Sequence, residues 1–326
     1  MLGDAMRLQQ LKYVLEIARH GNHLSAAAEA LNTSQPGVSR QIQMLESELG
    51  FAIFQRTRNR IIGLTEPGER VLEIAKRIVS DLGVLRMLKD DITAINRGTL
   101  VIATTHTQAK YVLPPVVSSF LTDFPDVQIV LKQGDPEGIC SLVDAGEADI
   151  AIGTETAREF PNLVGLPCFE LTRSVVAKIG HPILSGKKLT LERLAQYPII
   201  TYDPRFGGQS LQRRRWKVLG AFEKAGLEPK IVLSAIDADV CKTYVRMGLG
   251  IAIFTSVSFD AKEDVGLATR DARHLFEAST TYIKLRSNTY LRPYALEFIR
   301  RFAPHLTAGV VRETLHNTGR RGPENV

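Results

Sequence analysis

The chain has 326 residues, 44% of them hydrophobic and 23% charged, a length that suits two or three domains with real apolar cores. No apolar run approaches the roughly 18 residues of a membrane span, and Met1-Leu2-Gly3-Asp4-Ala5 lacks the hydrophobic stretch of a signal peptide, so a cytoplasmic protein with no membrane partner is expected. Lys and Arg number 41 against 35 Asp and Glu, for a net charge of +6 and a pI of about 9.2, which favours a polyanionic partner.

Leu8, Leu11, Val14, Leu15 and Ala18 fall on one stripe of a first helix, and Ser25 to Leu31 reads as a short Ala-rich helix that can pack closely. Asn32-Thr33 makes a tight turn, and Thr33 or Ser34 then caps a helix that carries Pro36 in its first turn. At about 100° per residue Val38, Ile42, Leu45 and Leu49 face one way, and Pro36, Ser39, Arg40 and Gln43 face the other. That outer side, with Gln35 at its start, carries no acid before Glu46. Gln pairs with adenine, Arg with guanine, and Ser lets a backbone approach closely, so the pair of helices reads as a helix-turn-helix with its second helix in the major groove of double-stranded DNA. A capped amphipathic helix on an ordinary surface has the same pattern.

Gly50 to Phe54 reads as a short strand, and Ile61 to Thr65 as its hairpin return. Arg56, Arg58 and Arg60 stand at alternate positions of the tip, a wing able to follow phosphates or enter the minor groove. A charged tip alone is a solvated turn; beside the helix pair it completes a winged helix-turn-helix over residues 1–66. Residues 67–97 read as a long linker helix. In sevens from Val71, one seam is Val71, Ile78, Leu85 and Ile92, and the other is Ile74, Asp81, Leu88 and Ile95. A solitary amphipathic helix would not need so long a repeat, so a homodimer able to span a two-fold operator is expected.

From Gly98 onward, strands alternate with helices. The strands expected are Leu100–Thr104, Val127–Lys132, Ala148–Gly153, Ser174–Lys178, Pro198–Tyr202, Lys230–Leu233, Gly250–Phe254 and Thr281–Leu285. Between them come helices at Leu113–Phe124, Ile139–Ala145, Leu191–Ala195, before Gly226, at Asp239–Met247 and at Tyr294–Phe302. This order implies an α/β fold with a parallel sheet and a ligand at the carboxyl ends of its strands. Residues 311–326 read as a tail. Ala103 to Ala109 (ATTHTQA) stand where the first strand hands over to a helix, and neutral hydroxyls there can hold a small oxyanion such as sulfate. A Ser/Thr-rich cap is the plain alternative. Cys140, Cys168 and Cys241 show no metal-ligand spacing and are expected to be reduced and structural. The absence of GxSxG, HExxH, Walker and CxxC motifs argues against an enzyme, and neither a cofactor nor a metal is expected.

The first domain resembles the LysR-type transcriptional regulators. The residues that carry this are Leu8 to Leu11, Ala27 to Leu31, Ser34 to Ile42, Leu45-Glu46, Leu49-Gly50, Leu64-Thr65 and Gly68. The resemblance implies DNA contacts from Gln35, Pro36, Ser39, Arg40 and Gln43, and less strictly from Arg56, Arg58 and Arg60. It also implies a two-lobed, periplasmic-binding-like effector domain over 98–310, with lobe I at about 98–168 and 272–310 and lobe II at about 169–271. The crossings are expected near Leu166–Leu171 and Leu267–Arg273, with homodimers pairing into tetramers and RNA polymerase as a further partner.

Within that family the effector part is similar to the CysB branch of sulfur-assimilation regulators. The marks are Ala103 to Ala109, Gln133-Gly134, Ala148-Asp149, Leu166 to Cys168, Leu194 to Pro198, Asp237 to Val240 with Lys242 to Arg246, Gly248 to Gly250, and Arg300 to Thr307. The branch implies sulfate or an acetylserine-type inducer held by Thr105, Thr107, Gln108 and Thr154; by their strand positions Thr201 and Asp239 fall near the same cleft. Where the branch commonly shows Thr-Gly this chain has Gly207-Gly208, and Leu211 to Val218 (LQRRRWKV) looks inserted. Those departures leave open a regulator of sulfonate or sulfate-ester use with a different inducer. From another function class, a sulfate sensor or solute-binding protein would share the effector fold.

Overall fold

The computed structural model describes residues 6–57, 60–93, 96–156, 158–186, 188–202, 217–235, 237–287 and 289–319. The chain divides into two compact units, Met1–Ala94 and Ile95–Val326.

In the first unit α1 (Leu8–Arg19), α2 (Leu24–Ala30) and α3 (Gln35–Leu49) precede a hairpin of β1 (Phe54–Thr57) and β2 (Arg60–Leu64), and α4 (Glu66–Thr93) follows. The core joins Leu11, Val14 and Ile17 of α1, Ala27 and Ala28 of α2, and Val38, Ile42 and Leu45 of α3. Leu8, placed on the α1 stripe by sequence, is exposed instead, and Ile17 takes up the buried face. Ser34 is the cap of α3: its Oγ accepts the Gly37 N–H at 3.3 Å. Gly50 ends α3 at φ +76° with open space around its Cα. Gly50→Ala therefore meets only left-handed backbone strain and should cost about 1 kcal/mol. Chemical denaturation of the full chain checks this, and an unchanged first transition would be the contrary result.

Two expectations for this unit are corrected. Gly50 to Ile53 form a loop, not a strand, because Glu46 Oε1 accepts the N–H groups of Ile53 (2.9 Å) and Phe54 (3.1 Å), so a carboxylate takes the place of a ladder partner. Val71 and Ile78, assigned to an inter-helix seam, pack with Leu72 and Ala75 into the unit's own core, where α4 lies against α1; Ile74 of the other seam stays 46% exposed. The side chains of Asp81, Leu85, Leu88 and Ile92, and all of Ile95, lie outside the described residues.

The second unit contains two five-stranded sheets. In lobe I β3 (Gly98–Thr104) runs parallel to β4 (Val127–Gln133) and β5 (Ile150–Thr154), with α5 (Leu113–Asp123) and α6 (Pro136–Asp144) as crossovers. β6 (Leu163–Leu171) then carries the chain out. Lobe II holds β7 (Arg173–Lys178), α7 (Leu191–Ala195), β8 (Ile199–Tyr202), α8 (Lys217–Lys224), β9 (Ile231–Ala235), α9 (Ala238–Arg246), β10 (Ile251–Thr255) and β11 (Leu267–Asp271). β12 (Ser279–Arg286) returns to lobe I between β5 and β6, antiparallel to both, followed by α10 (Pro293–Phe302) and α11 (Ala308–Gly319).

Both sheets are mixed, not purely parallel, because the strands at the crossings enter antiparallel. The crossings also shift. β6 stays in the lobe I sheet to Leu171, β11 stays in the lobe II sheet to Asp271, and the chain changes lobe at Thr172 and between Asp271 and Ser279. The buried Arg173 guanidinium pins the two together, donating to the Leu171 carbonyl (3.2 Å) and to Ser279 Oγ (2.9 Å). The expected tail from 311 is the body of α11 as far as Gly319, since Val311 and Leu315, one turn apart, are buried in the lobe I core. Residues 203–216 lie outside the described ones, but the last two residues of the inserted-looking segment open α8, where Val218 is fully buried.

Candidate functional site

The outer face of α3 is built by its inner one. With Val38, Ile42 and Leu45 fully buried, Gln35, Pro36, Arg40 and Gln43 are exposed and Ser39 is half-buried. Pro36 has no N–H and those of Gly37 and Val38 go to the Ser34 hydroxyl and carbonyl, so the helix start offers the Gln35 N–H and a partial positive charge at the end where Gln35 and Pro36 stand. In the wing, Arg60 is exposed at the tip and Arg58 lies outside the described residues. Arg56 is engaged: its Nη2 donates to Glu46 Oε2 at 2.9 Å, so its first role is to hold the wing to α3. Glu46 thus grips the wing through two backbone amides and one guanidinium, a role the sequence signalled only as an acid interrupting a polar face. Thr65 and Gly68 belong to the same joint. Thr65 Oγ1 donates to the Ala52 carbonyl (2.6 Å) and accepts the Gly68 N–H (2.9 Å), while a Cβ at Gly68 would collide with the Ile53 carbonyl.

In the second unit β3 delivers Thr104 and Thr105 to a helix that begins at His106. Pro114 and Pro115 lack the N–H groups that would close the preceding turns, and the backbone widens into a π-turn over Gln108–Val112, with the Leu113 N–H reaching the Gln108 carbonyl. Thr105, Thr107 and Gln108 are all buried in the first turn. Gln108 Nε2 donates to Thr281 Oγ1 at 2.9 Å, and Thr281 pairs across the ladder with Thr154 at the end of β5. Thr105 stands over Gly153, whose added Cβ would lie 3.4 Å from Thr105 Cγ2. Four of the sequence-assigned residues therefore converge in lobe I, joined by Thr281, which sequence reasoning missed because its strand comes from the far end of the chain.

Thr201 is the third residue of β8 in lobe II, buried, its carbonyl accepting Cys241 Sγ at 3.2 Å; among the described residues no hydrogen bond joins it to the other four. Gln108 Oε1 and Thr201 Oγ1 are buried and have no hydrogen-bond partner among the described residues; the Gln108 oxygen can only accept, whereas the Thr201 hydroxyl can donate or accept. Asp239 of α9 reaches the same helix of lobe I, gripped by His106, Lys110 and Tyr111. His106, Asp237 and Asp239 come close enough to share a cation, yet Asp237 Oδ1 already accepts the Val240 N–H and Lys110 and Lys242 flank Asp239, so the charge there is balanced.

The two units match two families of one kind. Residues 8–69 match the bacterial regulatory helix-turn-helix proteins of the lysR family, and residues 94–307 match the LysR substrate binding domain. The chain belongs to the LysR family. Among LysR relatives it is 45% identical to the HTH-type transcriptional regulator SsuR of Burkholderia cenocepacia over 95% of this chain and 100% of that one. It is 42% identical to the HTH-type transcriptional regulator CysB of the same organism, over 95% of this chain and 97% of that one, in accord with the branch read from the sequence. The crystal structure of the cofactor-binding domain of the Cbl transcriptional regulator covers 67% of this chain and 93% of its own, with 39% identity and a TM-score of 0.61.

The cysteines of this LysR chain are free thiols. Burial pushes Cys168 up to about 11 and Cys241 up to about 12 and raises Cys140 as well, the opposite of the lowered value a thiol sensor needs. Among the described residues no helix is long and apolar enough to cross a membrane.

Proposed function

We propose that this LysR chain is a cytoplasmic DNA-binding regulator of sulfur-metabolism genes whose operator binding responds to a small anionic or zwitterionic effector, sulfate or an acetylserine-type compound. It works as a homodimer that pairs into a tetramer, contacts RNA polymerase, and needs neither cofactor nor catalysis. The sulfur role rests on the residue-level likeness to the CysB branch and on the relatives SsuR and CysB. The effector reading rests on one observation: the buried hydroxyls and amide of Thr105, Thr107 and Gln108 meet Thr154 and Thr281 at a helix start. Neutral donors and a helix dipole suit an oxyanion stripped of water, because they match its lone pairs without adding a counter-charge.

In this reading the effector favours one closure of the lobes, and closure changes how subunits sit on DNA; a ligand shifts that balance only by binding the two states unequally. Gln35, Pro36, Ser39, Arg40 and Gln43 read the operator, with Arg60 and Arg58 on the phosphates. Thr105→Val keeps the shape and removes the hydroxyl. It should weaken sulfate binding to the full chain by about tenfold in calorimetry while leaving operator affinity without effector unchanged. Sulfate binding equal to wild type would remove Thr105 from the site. Gly207-Gly208, in place of the branch's Thr-Gly, leaves one hydroxyl fewer for the ligand, and the adjoining Leu211 to Val218, with three arginines and the chain's one Trp, favours a second reading in which the inducer is a larger or more acidic sulfur compound such as a sulfonate-linked signal. Titrating sulfate, O-acetylserine, N-acetylserine and an alkyl sulfonate against the same protein separates the two.

A further inference from the structure

Lobe I and lobe II meet across the cleft in a charged clasp. Lys110 Nζ donates to Asp239 Oδ1 at 2.7 Å, Tyr111 donates its hydroxyl to the same oxygen at 2.6 Å, and His106 Nε2 lies 2.9 Å from Oδ2. Both carboxylate oxygens are therefore engaged by one helix of the opposite lobe. Asp239 sits in the first turn of α9, where the helix dipole also favours a negative charge. Burial works to raise the Asp239 pKa, but the hydrogen bonds from Lys110, Tyr111 and His106 and the charge of Lys242 override it and hold the carboxyl well below the usual range. Burial, and then the bond to Asp239, push the Tyr111 phenol up, so it keeps the proton it donates.

Tyr111 reaches further than a surface contact. Its hydroxyl accepts from Lys242 Nζ at 2.8 Å and so stands between Lys242 and Asp239, partners one turn apart on α9 at 3.4 Å. Lys242 is buried and fixed by the Ser258 carbonyl (2.8 Å) and Asp264 (2.9 Å). A lobe I side chain is thereby the middle member of a lobe II ion-pair network. The clasp residues His106, Lys110 and Tyr111 interleave with Thr105, Thr107 and Gln108 on one helix, and Lys110 and Tyr111 occupy its π-turn. One short stretch of backbone thus carries both sets.

We infer that Asp239 is a positioning residue: through His106, Lys110 and Tyr111 it sets the closure of lobe II on lobe I and the orientation of the Thr105–Gln108 turn, so that anion affinity and closure rise and fall together. This rests on the anion-site reading given above. The test uses the full chain with Asp239→Asn and, as a variant that leaves α9 intact, Tyr111→Phe. Sulfate affinity is read by calorimetry and closure by amide hydrogen exchange. Asp239→Asn should weaken sulfate about tenfold or more and speed exchange jointly in His106–Val112 and Ala238–Arg246, with β4 and β11 as protected as before. Tyr111→Phe should shift both in the same direction by less. Wild-type sulfate affinity with wild-type protection overturns the inference, as does exchange raised throughout lobe II, which would make Asp239 a folding residue. Tighter sulfate binding overturns it too, since Asp239 would then act only by repulsion. A wild-type chain that takes up no sulfate sinks the anion-site reading instead, and joint or absent loss of protection in the two helices then decides the clasp.

Discussion

Lys242→Met is expected to lower the stability of the larger unit by about 3–5 kcal/mol, the usual cost of removing one member of a buried ion pair and leaving the other uncompensated. Lys242 is 2% exposed and Asp264 5% exposed, and the ammonium also serves the Ser258 carbonyl and the Tyr111 hydroxyl. Its removal takes the nearest counter-charge from the Asp264 carboxylate, leaving it the Asp260 N–H (3.0 Å) and Arg246 at 4.0 Å, and strips the Ser258 carbonyl and part of the Asp239 network, while the long stem that Met mimics still fills space. Urea denaturation of the full chain, followed by amide exchange or proteolysis within the larger unit, measures the loss. A companion variant separates charge from packing: adding Asp264→Leu should recover part of the stability, because replacing both members by apolar groups removes the uncompensated charge. A loss under 1 kcal/mol for Lys242→Met alone would show that water reaches the pair and that the network is not dry.

Arg40→Ala is expected to lower discrimination at one operator base by about 1–3 kcal/mol, the value of one bidentate base contact. Arg40 is exposed on the outer face of α3, beyond the buried Val38–Ile42–Leu45 stripe, and among the described residues no acid holds it as Glu46 holds Arg56. The two arginines therefore separate in behaviour. Arg40→Ala should relax specificity and spare stability, whereas Arg56→Ala should loosen the wing and weaken operator and random DNA alike. Binding isotherms on operator and scrambled duplex at one fixed salt concentration test this. If Arg40→Ala keeps the wild-type ratio of the two affinities, its side chain does not read a base.

The sequence was most legible where a local rule and a tertiary need coincide. The α3 start is such a place, since Ser34, Pro36 and the 3.6-residue apolar spacing specify cap, first turn and buried face without reference to the rest of the chain. Isolated marks were recognisable but mute until the fold paired them. Asp149 Oδ2 accepts the Val101 N–H at 2.8 Å, and His305 Nε2 lies 2.9 Å from the Pro167 carbonyl. A Cβ at Gly250 would strike the Pro198 carbonyl, so the Pro198 and Gly250 marks are two sides of one close approach. What failed did so for long-range reasons. Gly50 to Ile53 were drawn from the expected strand by the Glu46 carboxylate, and Val71 and Ile78 pack, half-buried, against the core of their own unit.

By itself the sequence determined the winged reader, the alternation of strands and helices and the run of hydroxyls from Thr104 to Thr107, because each is written in neighbours or in helical and strand periods, while the family came from a likeness of motifs spread along the chain. Only the tertiary structure decided that Thr281 joins Gln108 to Thr154, that Arg56 anchors the wing, and that Asp239 answers His106, Lys110 and Tyr111 across the cleft. Those pairings bridge about 10 residues in the case of Arg56 and Glu46 and well over 100 in the others. Their physical basis is the desolvated charge or hydroxyl that must find a partner where the chain folds back, and no spacing along the chain records where that will be.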